Sequence, residues 1–197
     1  MDKFELLFQN ICKDRNCPIM LNVFPKLQEL AFTDALTKLY NRNYLWAKTD
    51  LFFILAQRYK APVSCFMIDI DNLKETNDKY GHLNGDIVLS EISNQVKKLT
   101  RKSDIVVRFG GDEILVLLFK MEKKNAIKLA EKLRVSIESL DIKIDKSTII
   151  KQTISIGVFT VERKRLDNPT ILDYIIDNAD KLVYKAKENG KNRIESN

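Results

Sequence analysis

The sequence predicts an α/β fold, a two-layer sandwich of helices on one β-sheet. A short apolar run at 62–69, rich in β-prone residues, indicates a buried strand. Two similar runs within 104–119 flank Gly110-Gly111 and indicate a hairpin, because glycine accepts the positive φ of tight turns. Amphipathic helical segments lie between these strands, and helices that alternate with strands of one sheet pack against it.

The other elements follow from the spacing of apolar residues. Seven helices are predicted, at 2–13, from Pro25 to about Ala31, at 42–59, near 72–80, at 85–100, around 126–140 and around 172–186. A further strand is predicted at 148–160, with a candidate partner strand near 141–145. Residues 1–32 are interpreted as an N-terminal helical extension and 33–197 as the main domain. The extension lacks three sustained heptads, so a coiled-coil stalk is not predicted. It could pack on the domain, aid dimerisation or belong to a longer protein.

Composition limits the class of protein. The 197 residues fit one domain plus a short extension, and 45% apolar content can form a real core. The net charge of +6 favours an anionic partner, which could be a nucleotide, a nucleic acid or an acidic membrane surface. No nucleic-acid partner is expected, because no basic and aromatic stacking pattern is present. The odd count of 3 cysteines fits a reducing compartment. No membrane-spanning stretch or signal peptide is apparent in the sequence, so a cytoplasmic protein is predicted.

Acidic residues follow two of the predicted strands. Asp112 and Glu113 come directly after the glycine turn, and Asp69 and Asp71 alternate around Ile70, as they would at the exposed end of a strand. If this strand pairs with the hairpin, Asp69 and Asp112 can meet. Carboxylates, a backbone carbonyl and phosphate oxygens form a typical Mg²⁺ site, and two ions about 3.5–4 Å apart would support in-line attack on phosphorus. The alternative is a solvated turn whose acids keep the sheet edge soluble.

Five ordered blocks of sequence resemble the GGDEF domain, the diguanylate cyclase family. They are Asp34–Arg42 (DALTKLYNR), the segment 69–86 with Asp-Ile-Asp and Gly-Asp at its ends, Arg108–Ile114 (RFGGDEI), Ser155–Val158 (SIGV) and the segment 179–193. The resemblance covers roughly residues 33–195. It implies a palm-like, ferredoxin-related version of the sandwich, with the acids clustered at one edge of the sheet.

The resemblance also implies a metal site. Asp69 and Asp112 match the metal-binding acids of the family, and the carbonyl of Ile70 matches a further ligand. Glu113 matches the second signature acid, which ligates the metal or helps to draw the proton from the attacking hydroxyl. The implied catalytic residues are therefore Asp69, Asp112 and Glu113, with Mg²⁺ or Mn²⁺ as the cofactor.

GTP is the implied substrate. Asn77 and Asp86 match the positions that bind guanine, whose N1 and N2 hydrogens suit a carboxylate and are absent as a pair from adenine. The alternative for Asp86 is a helix cap after Gly85. The implied phosphate contacts are three lysines and two backbone amides, at Lys74, Lys187, Lys191, Asn72 and Leu73. Three positions depart from the usual family residues. Position 191 is lysine where the family more often has arginine. Ile114 and Leu73 each replace a phenylalanine, and the side chain of Ile114 is expected to face the core.

Five residues separate the segment Arg101-Lys102-Ser103-Asp104 from Gly110. In the family an R-x-x-D pattern at this distance marks an inhibitory site for the product, where arginine grips a phosphate and aspartate accepts from guanine. The alternative is a turn with an incidental ion pair. The resemblance further implies a homodimer in which two GTP molecules react to form cyclic di-GMP. A catalytically inactive module that binds GTP or cyclic di-GMP and regulates through protein interaction is the second hypothesis.

Overall fold

The computed structural model describes residues 23–145, 147–161, 166 and 170–197. Within them the helices are α1 (Phe24–Phe32), α2 (Arg42–Arg58), α3 (Leu73–Tyr80), α4 (His82–Leu99), α5 (Lys123–Glu138) and α6 (Ile171–Glu188). The strands are β1 (Val63–Ile70), β2 (Ile105–Arg108), β3 (Glu113–Phe119), β4 (Ile142–Lys143), β5 (Ile149–Ile150), β6 (Ile154–Val161) and β7 (Ile194–Ser196). The helix predicted at 2–13 lies outside the described residues.

Five strands form the main sheet in the order β2-β3-β1-β6-β7. β1 runs antiparallel to both of its neighbours, and β7 pairs with β6 in parallel. Every residue of β1 is buried, because helices cover both faces of the sheet at its centre. The end of β1 therefore brings its acidic residues to the middle of a sheet edge.

Two hydrophobic cores hold the helices on the sheet. Phe66, Ile68 and the other inward residues of one face pack against α4 and α5. Cys65, Met67 and their neighbours on the opposite face pack against α2 and α6. Strand side chains alternate between faces, so β1 contributes to both cores. The predicted α/β class is confirmed, and the structure adds a second helical layer to the two that the sequence predicted.

Close packing of α6 on β6 depends on a glycine. A side chain at Gly157 would collide with backbone atoms of Ala179 and Leu182. Backbone atoms cannot move aside as a flexible side chain can, so this position needs the smallest residue. The close approach sets the height of α6 above the sheet, and α6 carries Lys187 to the edge where β1 ends.

Most predicted elements are confirmed within a few residues, and the exceptions have physical causes. The strand predicted at 148–160 is wrong as one element: it divides into β5 and β6, because Gln152 turns inward to the carbonyl of Asp71 and to Thr76. The candidate partner near 141–145 is confirmed as β4. β7 was not predicted, since three residues carry too little pattern. No helix in the described part of the chain is long and apolar enough to cross a membrane.

Candidate functional site

The acids predicted at the strand ends converge at one edge of the sheet. β1 pairs with β3 so that Asp69 lies directly opposite Glu113, and Asp112 precedes Glu113 in the turn. The negative charges of Asp112 and Glu113 both raise the pKa of Asp69, which places the three carboxylates within electrostatic reach. Asp69 and Asp112 therefore lie at the same edge of the sheet, and their joint role in a metal site stays a prediction. The expected exposed strand end is wrong, because Asp69 and Asp71 are only 5% and 2% exposed.

Asp69 is covered by a lysine from the last turn of α6. The Nζ atom of Lys187 lies 2.6 Å from Oδ2 of Asp69. Burial, together with the two neighbouring acids, nevertheless outweighs this ion pair and raises the pKa of Asp69 to about 6. Burial lowers the pKa of Lys187, but its hydrogen bond to Asp69 and the charges of the three acids outweigh burial and raise it. Negative charge is thus concentrated at this edge beyond what one lysine compensates.

The donor atoms at this edge match a divalent cation in type. Carboxylate and carbonyl oxygens are the ligands that Mg²⁺ prefers in proteins, and an excess of buried negative charge favours a cation. Among the described residues, no three His, Cys, Asp or Glu side chains are already arranged to hold a metal ion. The residues therefore fit the metal in chemistry, while the Asp69 carboxylate is directed at Lys187.

A cleft of about 280 Å³ lies beside the acids. It is lined by Leu73, Lys74, Asn77, Gly85, Asp86, Leu89, Arg108, Gly111 and Asp112. Asn77 projects from α3 and Asp86 from α4, so two hydrogen-bonding side chains lie in one cleft that also reaches the hairpin turn. The structure thus brings together the two residues predicted to contact a base and the acid Asp112.

The start of α4 decides between the two interpretations of Asp86. α4 begins at His82, with Gly81 as its N-cap, three residues earlier than predicted. Asp86 therefore lies inside the helix, exposed, and the hypothesis that it caps the helix is wrong. Gly85 lies against the side-chain amide of Asn77, where an added Cβ atom would overlap the amide oxygen. Gly85 therefore leaves room for the side chain of Asn77, and Asp86 lines the wall of the cleft.

The predicted phosphate contacts lie on either side of the acids. Lys74 is exposed in the first turn of α3 and lines the cleft. Asn72, the N-cap of that helix, has left-handed backbone with φ 56°. Lys191, from the turn between α6 and β7, donates a hydrogen bond from Nζ to Oδ1 of Asn72. Lys187 and Lys191 are four residues apart in sequence, and together with Lys74 of α3 they lie near the end of β1.

Arg108 holds the glycine turn, a role that the sequence analysis did not assign. Its Nη1 atom lies 3.1 Å from both carboxylate oxygens of Asp34, and its Nη2 atom donates to the carbonyl of Gly111 at 2.9 Å. Burial raises the pKa of Asp34, but hydrogen bonds from Thr37 and the charge of Arg108 outweigh it and lower the pKa. The sequence signal for the position of Asp34 is its Asp-x-x-Thr spacing to Thr37, which is typical of a turn capped by a side chain. Arg108 thereby connects the segment after α1 to the signature turn.

Comparison with known proteins identifies the family of this chain. The family model described as diguanylate cyclase, GGDEF domain, matches residues 31–193. The chain belongs to the GGDEF family. Diguanylate cyclase A of Treponema denticola is 37% identical over 176 residues, which are 86% of this chain and 45% of the relative. The chain spans less than half the length of the curated relatives that it matches.

Solved structures show the same fold. The coiled coil and GGDEF domain of DgcB from Caulobacter crescentus, in complex with c-di-GMP, superposes with a TM-score of 0.82 at 21% identity, over 100% of both chains. The active GGEEF domain of a diguanylate cyclase from Vibrio cholerae is 31% identical, with a TM-score of 0.71 over 79% of this chain and 96% of that one. Ile114, which departs from the usual GGDEF phenylalanine, is fully buried as expected.

The R-x-x-D segment of this GGDEF domain forms the turn between α4 and β2. Asp104 is buried, and its Oδ2 atom accepts a hydrogen bond from the backbone N–H of Arg101 at 2.8 Å. Burial raises the pKa of Asp104, against the lowering effect of the Arg101 amide and charge. The side chain of Arg101 is exposed and makes no ion pair within the described part of the chain. Both residues line a cavity of about 890 Å³ that Lys38, Tyr40 and Lys97 also line.

Proposed function

We propose that this GGDEF domain is a diguanylate cyclase, which joins two GTP molecules into cyclic di-GMP and releases two pyrophosphates. The observation that carries the proposal is the convergence of Asp69, Asp112 and Glu113 at one sheet edge, beside the cleft that holds Asn77 and Asp86. Curated relatives at 33–37% identity are named diguanylate cyclases. Both acids of the family signature are present in this chain, which favours an active enzyme over an inactive module.

Guanine would bind in the cleft between α3 and α4. The Asp86 carboxylate can accept hydrogen bonds from guanine N1–H and N2–H, and the Asn77 amide can pair with another base-edge atom. Adenine has no such pair of donors on that edge, so it would leave the Asp86 carboxylate unpaired. Such a polar site discriminates strongly, because a desolvated group without a partner is costly.

The triphosphate would lie along the residues that follow β1. Backbone amides at Asn72 and Leu73 point from the start of α3, where the helix N-terminus favours an anion. Lys74 and Lys191 flank this segment, and Lys187 lies at the acid edge. Lysine acts on phosphate as a point charge without the two-pronged geometry of arginine. The lysine at 191 therefore supplies charge to the phosphates rather than a bidentate contact.

The metal would be held by the carboxylates of Asp69, Asp112 and Glu113 and by the carbonyl of Ile70. A bound Mg²⁺ or Mn²⁺ supplies neutralisation of phosphate charge and polarisation of the phosphoryl oxygens. The role of the residues themselves would be to orient the α-phosphate at the sheet edge, next to the hairpin turn. Glu113, half-buried at that edge, is suited to accept the proton of the attacking 3′-hydroxyl.

A dimer completes the reaction. One cleft accommodates one GTP, so the 3′-hydroxyl that attacks its α-phosphorus must come from a GTP held by a second subunit. Positioning of the two nucleotides against each other supplies much of the rate enhancement. We further propose that cyclic di-GMP binds in the cavity beside Arg101 and Asp104 and inhibits the enzyme, since the exposed guanidinium there is available to a phosphate.

The test is to incubate the purified protein with GTP and Mg²⁺, after bound cyclic di-GMP has been removed, and to identify products by mass. Asp112→Asn should abolish product, while Asp50→Asn, a change at an exposed residue on α2, should not. ATP in place of GTP should give no cyclic dinucleotide. An absence of product at protein concentrations that force dimers would refute the cyclase and favour a module that binds cyclic di-GMP.

A further inference from the structure

Asp71 is a buried carboxylate that no catalytic role accounts for. It lies one residue past the end of β1 and is 2% exposed. Its oxygens accept hydrogen bonds from the hydroxyls of Thr153, at 2.7 Å, and Ser155, at 2.6 Å, and from the backbone N–H of Asn192, at 3.0 Å. A buried carboxylate with three donors is well compensated and difficult to displace. Asp71 therefore fixes the residues after β1 to β6 and to the turn after α6.

That turn has an unusual backbone. Lys191 and Asn192 both have left-handed conformations, with φ of 62° and 45°. Such angles cost free energy for residues other than glycine, although asparagine tolerates them better than most. Two consecutive left-handed residues persist only where surrounding contacts impose them. The turn must therefore be held from outside.

Asn192 supplies the contacts that hold it. Its Oδ1 atom accepts from Nη1 of Arg134 at 2.8 Å, and its Nδ2 atom donates to Oε1 of Glu138 at 2.7 Å. Arg134 and Glu138 are also paired with each other along α5, at 2.9 Å. The side-chain amide of Asn192 is thus bound on both sides by a charged pair, while its backbone N–H is bound by Asp71. The turn is fastened to α5 and to the end of β1 together.

This arrangement directs Lys191 at the proposed phosphate site. Lys191 contacts Asn72, the residue that directly follows Asp71. Asn72 is itself left-handed, with φ 56°. The left-handed turn that carries Lys191 and the left-handed Asn72 at the start of α3 therefore lie on either side of Asp71. The separation between lysine and amides is set by contacts that do not touch the nucleotide.

We propose that Asn192, fastened by Asp71, Arg134 and Glu138, is a positioning residue that holds Lys191 against the triphosphate-binding segment. This inference rests on the proposed function, because it assigns Lys191 to the phosphates of GTP. Asn192 acts through Lys191 and not on the reacting atoms. Its loss should therefore raise the KM for GTP more than it lowers kcat.

The decisive experiment measures binding of 3′-deoxy-GTP, which lacks the attacking hydroxyl, in the presence of Mg²⁺ by calorimetry. The variants are Asn192→Gly, Lys191→Ala and their combination. Glycine accepts the left-handed backbone, so this change removes the side-chain contacts without adding strain. Asn192→Gly should weaken binding about tenfold, and the double variant should bind no more weakly than Lys191→Ala alone.

Full additivity of the two losses, or unchanged affinity in Asn192→Gly, would overturn the inference. If the wild-type protein does not bind 3′-deoxy-GTP at all, the proposed function fails first and this inference with it. Glu131→Gln is the matched control, because Glu131 also pairs with Arg134 but does not contact Asn192. If circular dichroism shows that Asn192→Gly does not fold, Glu138→Ala provides a second variant. It removes the hydrogen bond between Glu138 and the Asn192 amide, at a helix position that accepts alanine well. It should weaken binding in the same direction, and an unchanged affinity would overturn the inference.

Discussion

Replacing Asp69 with asparagine should stabilise the metal-free domain at neutral pH. The carboxylate is 5% exposed, and burial with two acidic neighbours raises its pKa from 3.8 to about 6 despite the ion pair with Lys187. At 1.36 kcal/mol per pH unit, this difference corresponds to about 3 kcal/mol. The ionised form of Asp69 therefore destabilises the metal-free fold.

The pH dependence has a definite sign. Because the folded-state pKa of Asp69 is raised, its protonated form favours folding below about pH 4, and this contribution is lost as the pH rises through about 6. Asparagine does not titrate. The difference in free energy of unfolding between Asp69→Asn and wild type should therefore grow from its value at pH 4 by about 2.4 kcal/mol at pH 7.5, because the unfolded-state carboxyl is already partly ionised at pH 4.

Urea unfolding in the presence of a chelator measures this difference. The fluorescence of Trp46, the single tryptophan, reports on the transition. Asp50→Asn is the matched control for the loss of one carboxylate, since Asp50 is exposed on α2. A difference that stays constant with pH, or that falls as the pH rises, would refute the argument and show that the charge of Lys187 outweighs burial.

Three further changes test other parts of the site. Gly85→Ala should raise the KM for GTP about tenfold, because the new methyl group displaces the Asn77 amide. The melting temperature should not fall, because alanine favours the helix more than glycine does. An unchanged KM would contradict this prediction. Arg108→Lys should lower kcat/KM about ten- to hundredfold, because lysine cannot bridge Asp34 and the turn carbonyl together. Full activity in steady-state assays would show that the bridge is dispensable. Arg101→Ala should raise the cyclic di-GMP concentration needed for half-maximal inhibition, and an identical inhibition curve would remove Arg101 from the proposed product site.

Two exposed positions on α4 provide controls for these changes. Asn94→Ala alters helix propensity on the same helix as Gly85 without touching the cleft. Lys98→Ala removes one positive charge near Arg101 in sequence. Each control should leave KM and the inhibition curve unchanged, so that an effect of the paired variant can be assigned to its contacts.

Local patterns predicted most of the fold. The apolar run that became β1 and the glycine turn between β2 and β3 were recognisable because strand burial and turn chemistry depend on neighbouring residues. Helix spans followed from apolar spacing in the same way. The start of α4 was missed, since Gly81 at φ 87° serves as its N-cap without the usual side-chain signal. The interpretation of Asp86 as a cap failed for that reason.

The residue types at the site were also predictable. The order of the blocks around Asp69, Asp112 and Asp86 identifies the family, and the family supplies their expected roles. The sequence could not show that Asp69 lies buried against Lys187, from a helix near the far end of the chain, or that Asp71 is satisfied by Asn192 and two hydroxyls. Arg108 was recognised only as part of the signature, and its bridge to Asp34 spans 74 positions.

The sequence by itself therefore determined the fold class, the family and the set of acids, lysines and amides from which the site is built. Tertiary structure decided which carboxylates are buried, which cation faces each of them and which side chains hold the two left-handed turns in place. The physical reason is that secondary structure depends on side chains a few positions apart, whereas burial and electrostatic pairing depend on which distant segments the sheet and its two helical layers bring into contact.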